Sequence, residues 1–260
     1  MGDNNPEPSS GPSQAFVSGS IVVRGEGAAP SGAYSAAQKR LMALRAARVV
    51  ALREAASMVG GVTVDGETTI VNAASKSDVV RTMVQGVIKG ARTVKEDYGP
   101  STGMAIVYLS VPMTGPGGLI GTLLPQVTPM YPGGMPPFVP GPGVASTGTY
   151  DGLIIDVRGH PFKPALINRV LTGGGEVVYD PSSVAGDVLV ERGAAGYTND
   201  IGKARALLAE RGSTNPLVVR AGGVLRSTDV RIAPGDAEVV LTSNRSNNFL
   251  ERARVVFVLR

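Results

Sequence analysis

The strongest constraint on the fold is a long stretch without charge. No Asp, Glu, Lys or Arg occurs from Tyr98 to Tyr150, although charged residues make up 18% of the chain. The second part of this stretch, residues 113–148, is rich in Gly, Pro and Met and also carries large apolar side chains. Exposed together, those side chains would form an apolar patch that water does not favour. We therefore expect these apolar side chains to be covered by the protein's own domains, by identical subunits or by lipid, and we favour identical subunits.

The composition bounds the size and class of the protein. A chain of 260 residues suffices for one large or two small domains, and the distribution of turn-forming residues favours two. Lys and Arg number 25, Asp and Glu number 21, both are spread evenly, and aromatic residues make up only 5%. Nucleic-acid binding usually needs a concentrated basic face with aromatic platforms, so we expect no nucleic-acid partner. The absence of Cys excludes disulfides and thiolate chemistry.

The N-terminus has the composition of a disordered tail. Residues 1–14 are rich in Pro, Ser and Asn, and we expect disorder over residues 1–18. They contain no apolar signal-peptide core, but such a tail is also typical of a spacer behind a removed export signal or a lipidated Cys. No run of eighteen apolar residues occurs, so the sequence predicts no transmembrane helix.

Residues 19–113 are expected to form an N-terminal domain around one long helix. Ser35 is a plausible N-cap for this helix, and Gly60 and Gly61 end it. The face that we expect to pack on the sheet carries Leu41, Leu44, Ala51, Ala55 and Met58, while small residues on a second face permit close approach. In order, the predicted elements are strand 20–27, helix 36–59, a strand or hairpin over 62–71, a short helix capped by Ser75 or Ser77 and ended by Gly90, and strands 91–97 and 103–111.

Residues 149–260 are expected to form a C-terminal domain, joined to the first by an uncharged insertion at 114–148. In order, its predicted elements are strand 151–158, a hairpin around 173–175, helix 201–210, strands 215–220 and 228–232, a helix from 235 to 241, and strand 254–259. The predicted fold class is α+β, with two small sandwich domains, each an antiparallel or mixed sheet with helices on one face.

Residue types that carry chemistry lack the partners that they need. His160 has no second His and no Cys for a triad or a metal cluster. Asp151 and Asp156 flank a predicted strand five positions apart, which places them on opposite faces. A glycine-rich turn at 25–30 lacks the third glycine of a phosphate loop. We therefore predict no catalytic, cofactor-binding or metal-binding residue and no small-molecule substrate.

Recognition of another protein surface remains as the predicted role. The uncharged segment offers apolar contacts, and arginines of the long helix offer charges that could set the register between subunits. The candidate interface residues are Leu119, Ile120, Leu123, Leu124, Met130, Tyr131, Met135, Phe138, Arg45, Arg48 and Arg53.

Residues 20–113 resemble a known family. The resemblance is carried by the Ala- and Arg-rich run from Ala36 to Val62, the Val-x-Gly pattern within 79–90, and residues 105–113, Ala-Ile-Val-Tyr-Leu-Ser-Val-Pro-Met. These residues are similar to the outer-membrane lipoprotein family that includes the flagellar basal-disc protein FlgP and the N-terminal part of the flagellar assembly protein FlgT. The C-terminal half is similar to the domain that accompanies it in larger exported relatives. The resemblance implies export, periplasmic or outer-membrane placement, assembly into rings or discs around the flagellar motor, and no catalytic residues.

These observations predict a non-enzymatic, exported structural protein that self-assembles into a ring, disc, tube or filament in the bacterial envelope or at the cell surface. Its partners would be further copies of itself and, beyond those, the outer membrane or peptidoglycan. The alternative is a periplasmic or outer-membrane-associated binding module for envelope components such as lipid or peptidoglycan, with the uncharged segment dipping into the membrane.

Overall fold

The N-terminal half is a three-stranded antiparallel sheet with a long helix across one face. The computed structural model describes residues 5–32, 34–132, 134–141 and 149–260. The elements of this half are α1 (Gln14–Ser18), β1 (Ser20–Ala28), α2 (Ala36–Gly60), β2 (Thr63–Asp65), β3 (Thr68–Thr69), α3 (Ile70–Lys76), α4 (Asp78–Lys89), β4 (Arg92–Gly99) and β5 (Met104–Pro112). β5 lies between β1 and β4, and β2 pairs with β3 in a separate hairpin.

The C-terminal half contains two four-stranded sheets. Its elements are β6 (Gly152–Asp156), β7 (Val170–Thr172), β8 (Val177–Tyr179), α6 (Gly186–Arg192), β9 (Gly196–Thr198), α7 (Ile201–Glu210), β10 (Pro216–Arg220), β11 (Gly223–Leu225), β12 (Asp229–Ile232), α8 (Pro234–Asn247) and β13 (Val255–Val258). One sheet has the order β10-β6-β13-β9 with parallel pairs, and the other has the mixed order β11-β12-β7-β8. β6 and β13 are almost wholly buried because they are the central strands of the parallel sheet. The α+β class predicted from the sequence is confirmed.

The long helix α2 packs on the sheet through a row of alanines, which includes Ala51 and Ala55 of the face that we expected. Leu41, assigned to the core, is 67% exposed. The close approach follows from glycines on β1, since a Cβ added to Gly25 or Gly27 would overlap the backbone of Ala47. Only side chains as small as alanine fit at that distance. The buried row is Ala43, Ala47, Ala51, Ala55 and Val59. The capping box at Ser35 and Gln38 confirms the predicted start of the helix.

The N-terminal tail packs against the rest of the chain, both upstream of α1 and within it. Ala15 is fully buried and Phe16 is 8% exposed, so the predicted disorder over residues 14–18 is wrong. The Phe16 ring meets the ring of Tyr197 edge-on with 5.2 Å between centroids. Farther upstream, the Ser9 amide donates to the Val22 carbonyl at 2.8 Å. The tail is therefore held by both halves of the molecule.

The segment expected to be an insertion contributes a helix, α5 (Leu119–Val127), to the core. Its buried side chains form one continuous apolar cluster with residues of both halves. Backbone hydrogen bonds fix its N-terminal approach: the Ile120 amide donates to the Met113 carbonyl at 2.8 Å, and the Gly115 amide to the Val190 carbonyl at 2.8 Å. α5 thus lies between the two halves and contacts both.

Candidate functional site: contact surfaces and an arginine-lined cleft

The apolar residues of α5 that we predicted to meet another subunit are covered within the chain. Leu119, Leu123 and Leu124 are at most 1% exposed, and Ile120 is 6% exposed. α5 packs against α4 and α6, and a Cβ added to Gly121 would lie 2.9 Å from the α6 backbone. Their prediction as subunit contacts is wrong, because the chain itself supplies the apolar surroundings. The proposal that they dip into a membrane loses its basis for the same reason.

The other apolar candidates lie half-buried along the C-terminal half. Met130, Tyr131 and Phe138 pack against the core, and Met135 is partly exposed. The Phe138 amide donates to the Val177 carbonyl at 2.9 Å, so this segment continues the second sheet beyond β8. Their role in the fold is clear, and a subunit contact through their exposed sides stays a prediction. Residues 1–4 of the predicted tail and residues 133 and 142–148 of the predicted insertion lie outside the described residues.

A buried ion cluster joins the β2–β3 hairpin to the C-terminal half. The side chain of Arg169 is 1% exposed, and its Nε donates to Asp180 Oδ2 at 2.6 Å. Its Nη1 lies 3.5 Å from Asp65 Oδ1 and 4.0 Å from Asp229 Oδ1. Burial raises the pKa of Asp229, although the Arg226 hydrogen bond at 2.8 Å and the charge of Arg169 oppose that rise.

Tyr131 connects the uncharged segment to this ion cluster. Its carbonyl accepts a hydrogen bond from Arg169 Nη2 at 2.6 Å. Burial, and secondarily the charge of Asp65, raise the pKa of Tyr131, whose hydroxyl is buried without a hydrogen-bond partner among the described residues. Since the arginines and carboxylates of the cluster satisfy one another, we interpret it as a structural joint between the halves.

Two of the three arginine candidates lie on the outward ridge of α2. Leu41, Arg45, Val49 and Arg53 recur at four-residue spacing, opposite the buried alanine row, and all four are exposed. Neither arginine of this ridge has an ion-pair partner among the described residues. Arg48 turns instead toward the sheet, where Nη1 donates to a threonine hydroxyl on β4. The outward ridge therefore presents alternating apolar and cationic side chains.

β4 is an open edge of the N-terminal sheet. In the part of the chain that the structure describes, this strand pairs on one side only, with β5. Most of its residues are exposed, including Val94 at 49%. Lys95 and Asp97 project from the same face, with 3.5 Å between Nζ and Oδ2, and Lys95 Nζ also donates to Asn5 Oδ1 at 2.5 Å. The outer side of β4 thus offers unpaired backbone groups next to charges of both signs.

A cleft of about 510 Å³ opens at the carboxyl edge of the parallel sheet. β6 ends at Asp156 and β10 ends at Arg220, and these two residues are directly opposite in the strand register. Arg260 follows β13 at the same edge and also lines the cleft. The carboxyl ends of parallel strands are where open α/β sheets bind ligands.

The groups in the cleft are held in defined positions. Arg158 donates two hydrogen bonds to Asp156, from Nε to Oδ1 at 2.9 Å and from Nη2 to Oδ2 at 2.7 Å. Chiefly through these bonds, Arg158 lowers the pKa of Asp156. His160 Nε2 lies 3.0 Å from the Ala221 carbonyl oxygen. A carbonyl can only accept, so Nε2 carries a proton, and in the neutral ring Nδ1 is then an acceptor.

Sequence reasoning missed this cleft because it examined the histidine and the aspartates one at a time. The available signal was the position of three arginines. Arg220 ends an apolar strand, Arg158 follows another by two residues, and Arg260 does the same after β13. Within the described residues, no group of three or more His, Cys, Asp or Glu side chains is placed to hold a metal ion, and no helix is long and apolar enough to cross a membrane.

The C-terminal half is similar to a known protein domain. Residues 152–260 match the family model described as Treponema pallidum Tp0624, second domain. The match begins at the first residue of β6 and continues through β13. It covers less than half of the chain. No curated protein matches the chain. The resemblance of residues 20–113 to the FlgP and FlgT family stays a prediction.

Proposed function

We propose that this protein is a non-enzymatic structural protein that self-assembles through its β4 edge. Two copies would pair β4 with β4 in antiparallel orientation and form one continuous six-stranded sheet, as in other cases where an edge strand is extended by a second chain. Placement in the bacterial envelope is part of the proposal, and it is supported only by the resemblance of residues 20–113 to an exported family.

The observation that carries this proposal is the charge pattern of β4. A two-fold axis at Glu96 places Lys95 of each copy opposite Asp97 of the other, because directly opposed residues share a face of the sheet. Lys95 and Asp97 do share a face, since their side chains meet at 3.5 Å within one chain. The pairing would therefore gain two reciprocal ion pairs on the solvent side, each of the kind that favours cross-strand association.

The same register brings two copies of Glu96 together on the helix side of the sheet. Glu96 is opposite Val107 in the register, and Val107 is fully buried under α2. Like charges directly opposite each other destabilise strand pairing. The proposed register thus contains one unfavourable pair between two favourable ones, which makes it distinguishable from other registers.

A two-fold contact alone ends at a dimer, so a ring or filament needs a second contact. The outward ridge of α2 is our candidate for it, because Leu41 and Val49 expose apolar surface beside Arg45 and Arg53, whose charges have no ion-pair partner in the described part of the chain. The β4 contact can be tested by exchanging the charges of Lys95 and Asp97.

The experiment is a charge swap measured by sedimentation velocity at low ionic strength. Lys95→Asp and Asp97→Lys each place like charges opposite one another and should each shift the protein toward monomer. The double variant Lys95→Asp/Asp97→Lys restores opposite charges and should restore association, while Glu96→Gln should strengthen it. A wild type that stays monomeric at micromolar concentration, or a double variant that associates no better than the single ones, would contradict the proposed contact.

A further inference from the structure

The three arginines of the cleft differ in whether they form hydrogen bonds and ion pairs with other residues of the chain. Arg158 is committed to Asp156 through two hydrogen bonds. Arg220 and Arg260 line the same cleft, are exposed, and have no hydrogen-bond or ion-pair partner among the described residues. The lining side chains therefore carry three positive charges against the single negative charge of Asp156. The charge of Arg220 helps to lower the pKa of Asp156, but the hydrogen-bond donors of Arg220 and Arg260 are left to bind something outside the described residues.

The strand register explains why these charges are close together. Arg220 lies directly opposite Asp156 on the neighbouring strand, and Val258, two residues before Arg260, lies opposite Asp156 on its other side. Asp156 and Arg220 therefore lie on adjacent strands and are positioned by the sheet. Arg260 follows the third strand by two residues, next to Leu259, whose amide donates to the Thr198 carbonyl at 2.7 Å. A site on adjacent rigid strands keeps its donors in place before a ligand arrives.

Backbone contacts hold the turn that closes the cleft. The His160 amide donates to the Val157 carbonyl at 3.0 Å, and the Ala221 amide donates to the Asp156 carbonyl at 3.0 Å. The His160 ring is tied to the Ala221 carbonyl from the other side at 3.0 Å. The loops after β6 and β10 are thus joined to each other. In the neutral ring, Nδ1 of His160 is available to accept a hydrogen bond from a hydroxyl or amide group of a ligand.

We propose that this cleft binds a small molecule with a carboxylate or phosphate group, held by Arg220 and Arg260. Guanidinium groups form paired hydrogen bonds with both kinds of oxyanion, so the geometry specifies the shared chemistry and not one of the two. Asp156 has a positioning role, because it fixes Arg158 at the rim. The cleft has room for more than the anion itself, so the group would be carried on a larger organic molecule. This site is separate from the β4 edge and does not depend on self-assembly.

The test is to titrate the full chain with inorganic phosphate and, separately, with succinate, and to monitor binding by NMR. The ionic strength is kept constant, with chloride as the reference anion. Saturable shifts of the Gly159 and Ala221 amides are expected with at least one anion. Arg220→Gln and Arg260→Gln should each weaken that binding about tenfold, the loss expected for hydrogen bonds to a charged group. The stronger of the two anions identifies the group that the cleft prefers.

The matched control is Arg252→Gln. Arg252 is exposed and precedes β13, at the opposite edge of the parallel sheet, so its replacement removes the same charge from the same half without touching the cleft. Unchanged binding in this control, with loss in the two cleft variants, supports the proposal. Equal weakening in all three variants would show general charge attraction, and the absence of saturable shifts with both anions would show no site; either result overturns it. Spectra of the free variants establish that each is folded.

Discussion

Arg169 of the C-terminal half and Asp65 of the N-terminal half form a buried ion pair, with 3.5 Å between Nη1 and Oδ1. A backbone hydrogen bond accompanies it, since the Leu166 amide donates to the Thr63 carbonyl at 2.9 Å. The two halves are therefore joined by polar groups shielded from water as well as by apolar packing. Polar contacts of this kind tolerate the loss of a partner poorly.

Replacing Arg169 with Met should destabilise the protein by about 3–5 kcal/mol, because buried Asp65 and Asp229 would lose their buried positive partner and keep only the half-exposed Arg226. The free energy of unfolding in urea measures this loss. Arg205→Met, on the exposed side of α7, removes the same charge without a buried partner and should change stability by less than about 0.5 kcal/mol. Similar losses in the two variants would show that Arg169 is not the centre of the joint.

Replacing Gly27 with Ala should destabilise the protein by about 2 kcal/mol or more, because the new methyl group would force α2 away from β1. Thermal unfolding followed by circular dichroism measures the effect. Gly223→Ala is the control, since Gly223 also lies in a strand but has open space where the Cβ would be. Equal tolerance of both substitutions would show that α2 does not pack closely on β1 at Gly27.

Replacing Phe16 with Ala should cost about 3 kcal/mol, because its ring is buried against Tyr197 and a cavity would remain. Its neighbour Val17 is 46% exposed, so Val17→Ala should cost much less. Urea unfolding of the two variants compares adjacent positions in one short helix. A disordered tail would instead give two variants as stable as the wild type.

Asp151 should contribute stability that disappears in acid. Burial alone would raise its pKa, but hydrogen bonds from Ser213, Thr214 and Asn215 outweigh burial and lower the pKa to about 2. A carboxylate whose pKa is lowered on folding stabilises the folded state at pH values above its pKa in the unfolded chain, 3.8. This contribution is lost as the pH falls toward 2. Asp151→Asn should therefore be less stable than wild type at pH 6 by about 1 kcal/mol, since hydrogen bonds would be lost.

The gap between Asp151→Asn and wild type should narrow as the pH is lowered from 4 to about 2, the interval between the two pKa values. Chemical unfolding at each pH provides the comparison. The baseline for removing a charge is Asp187→Asn, since Asp187 is exposed in α6 and has no hydrogen-bond or ion-pair partner among the described residues. A gap that is independent of pH would mean that the carboxylate charge has no part in the loop that Asp151 holds.

Elements with strong local signals were predictable from the sequence. Helix α2 has a capping residue, a long run of helix formers and terminal glycines, and helix α7 occupies the predicted residues 201–210. The hairpin of β7 and β8 around its glycines was also predicted correctly. In each case neighbouring residues alone determine the element, so a single sequence contains enough information.

Features that depend on distant residues were not predictable. The buried face of α2 is set by Gly25 and Gly27 on β1, and the face chosen from hydrophobicity wrongly included the exposed Leu41. α6 and β9 are too short to show a period, and their position depends on packing against α5 and β13. The cleft is assembled from strands far apart in sequence, so its arginines become neighbours only when the parallel sheet forms.

The position of α5 limits how this protein can be divided or recombined. The recognised family similarity begins at residue 152, after α5, yet Gly121 of that helix lies against α6 and Ile120 lies 3.3 Å from a Cβ built at Gly193. A gene fragment cut at the family boundary would leave the C-terminal half with a bare apolar groove. Exchange of this half between proteins by recombination would therefore require a substitute helix, or the transfer of α5 together with it.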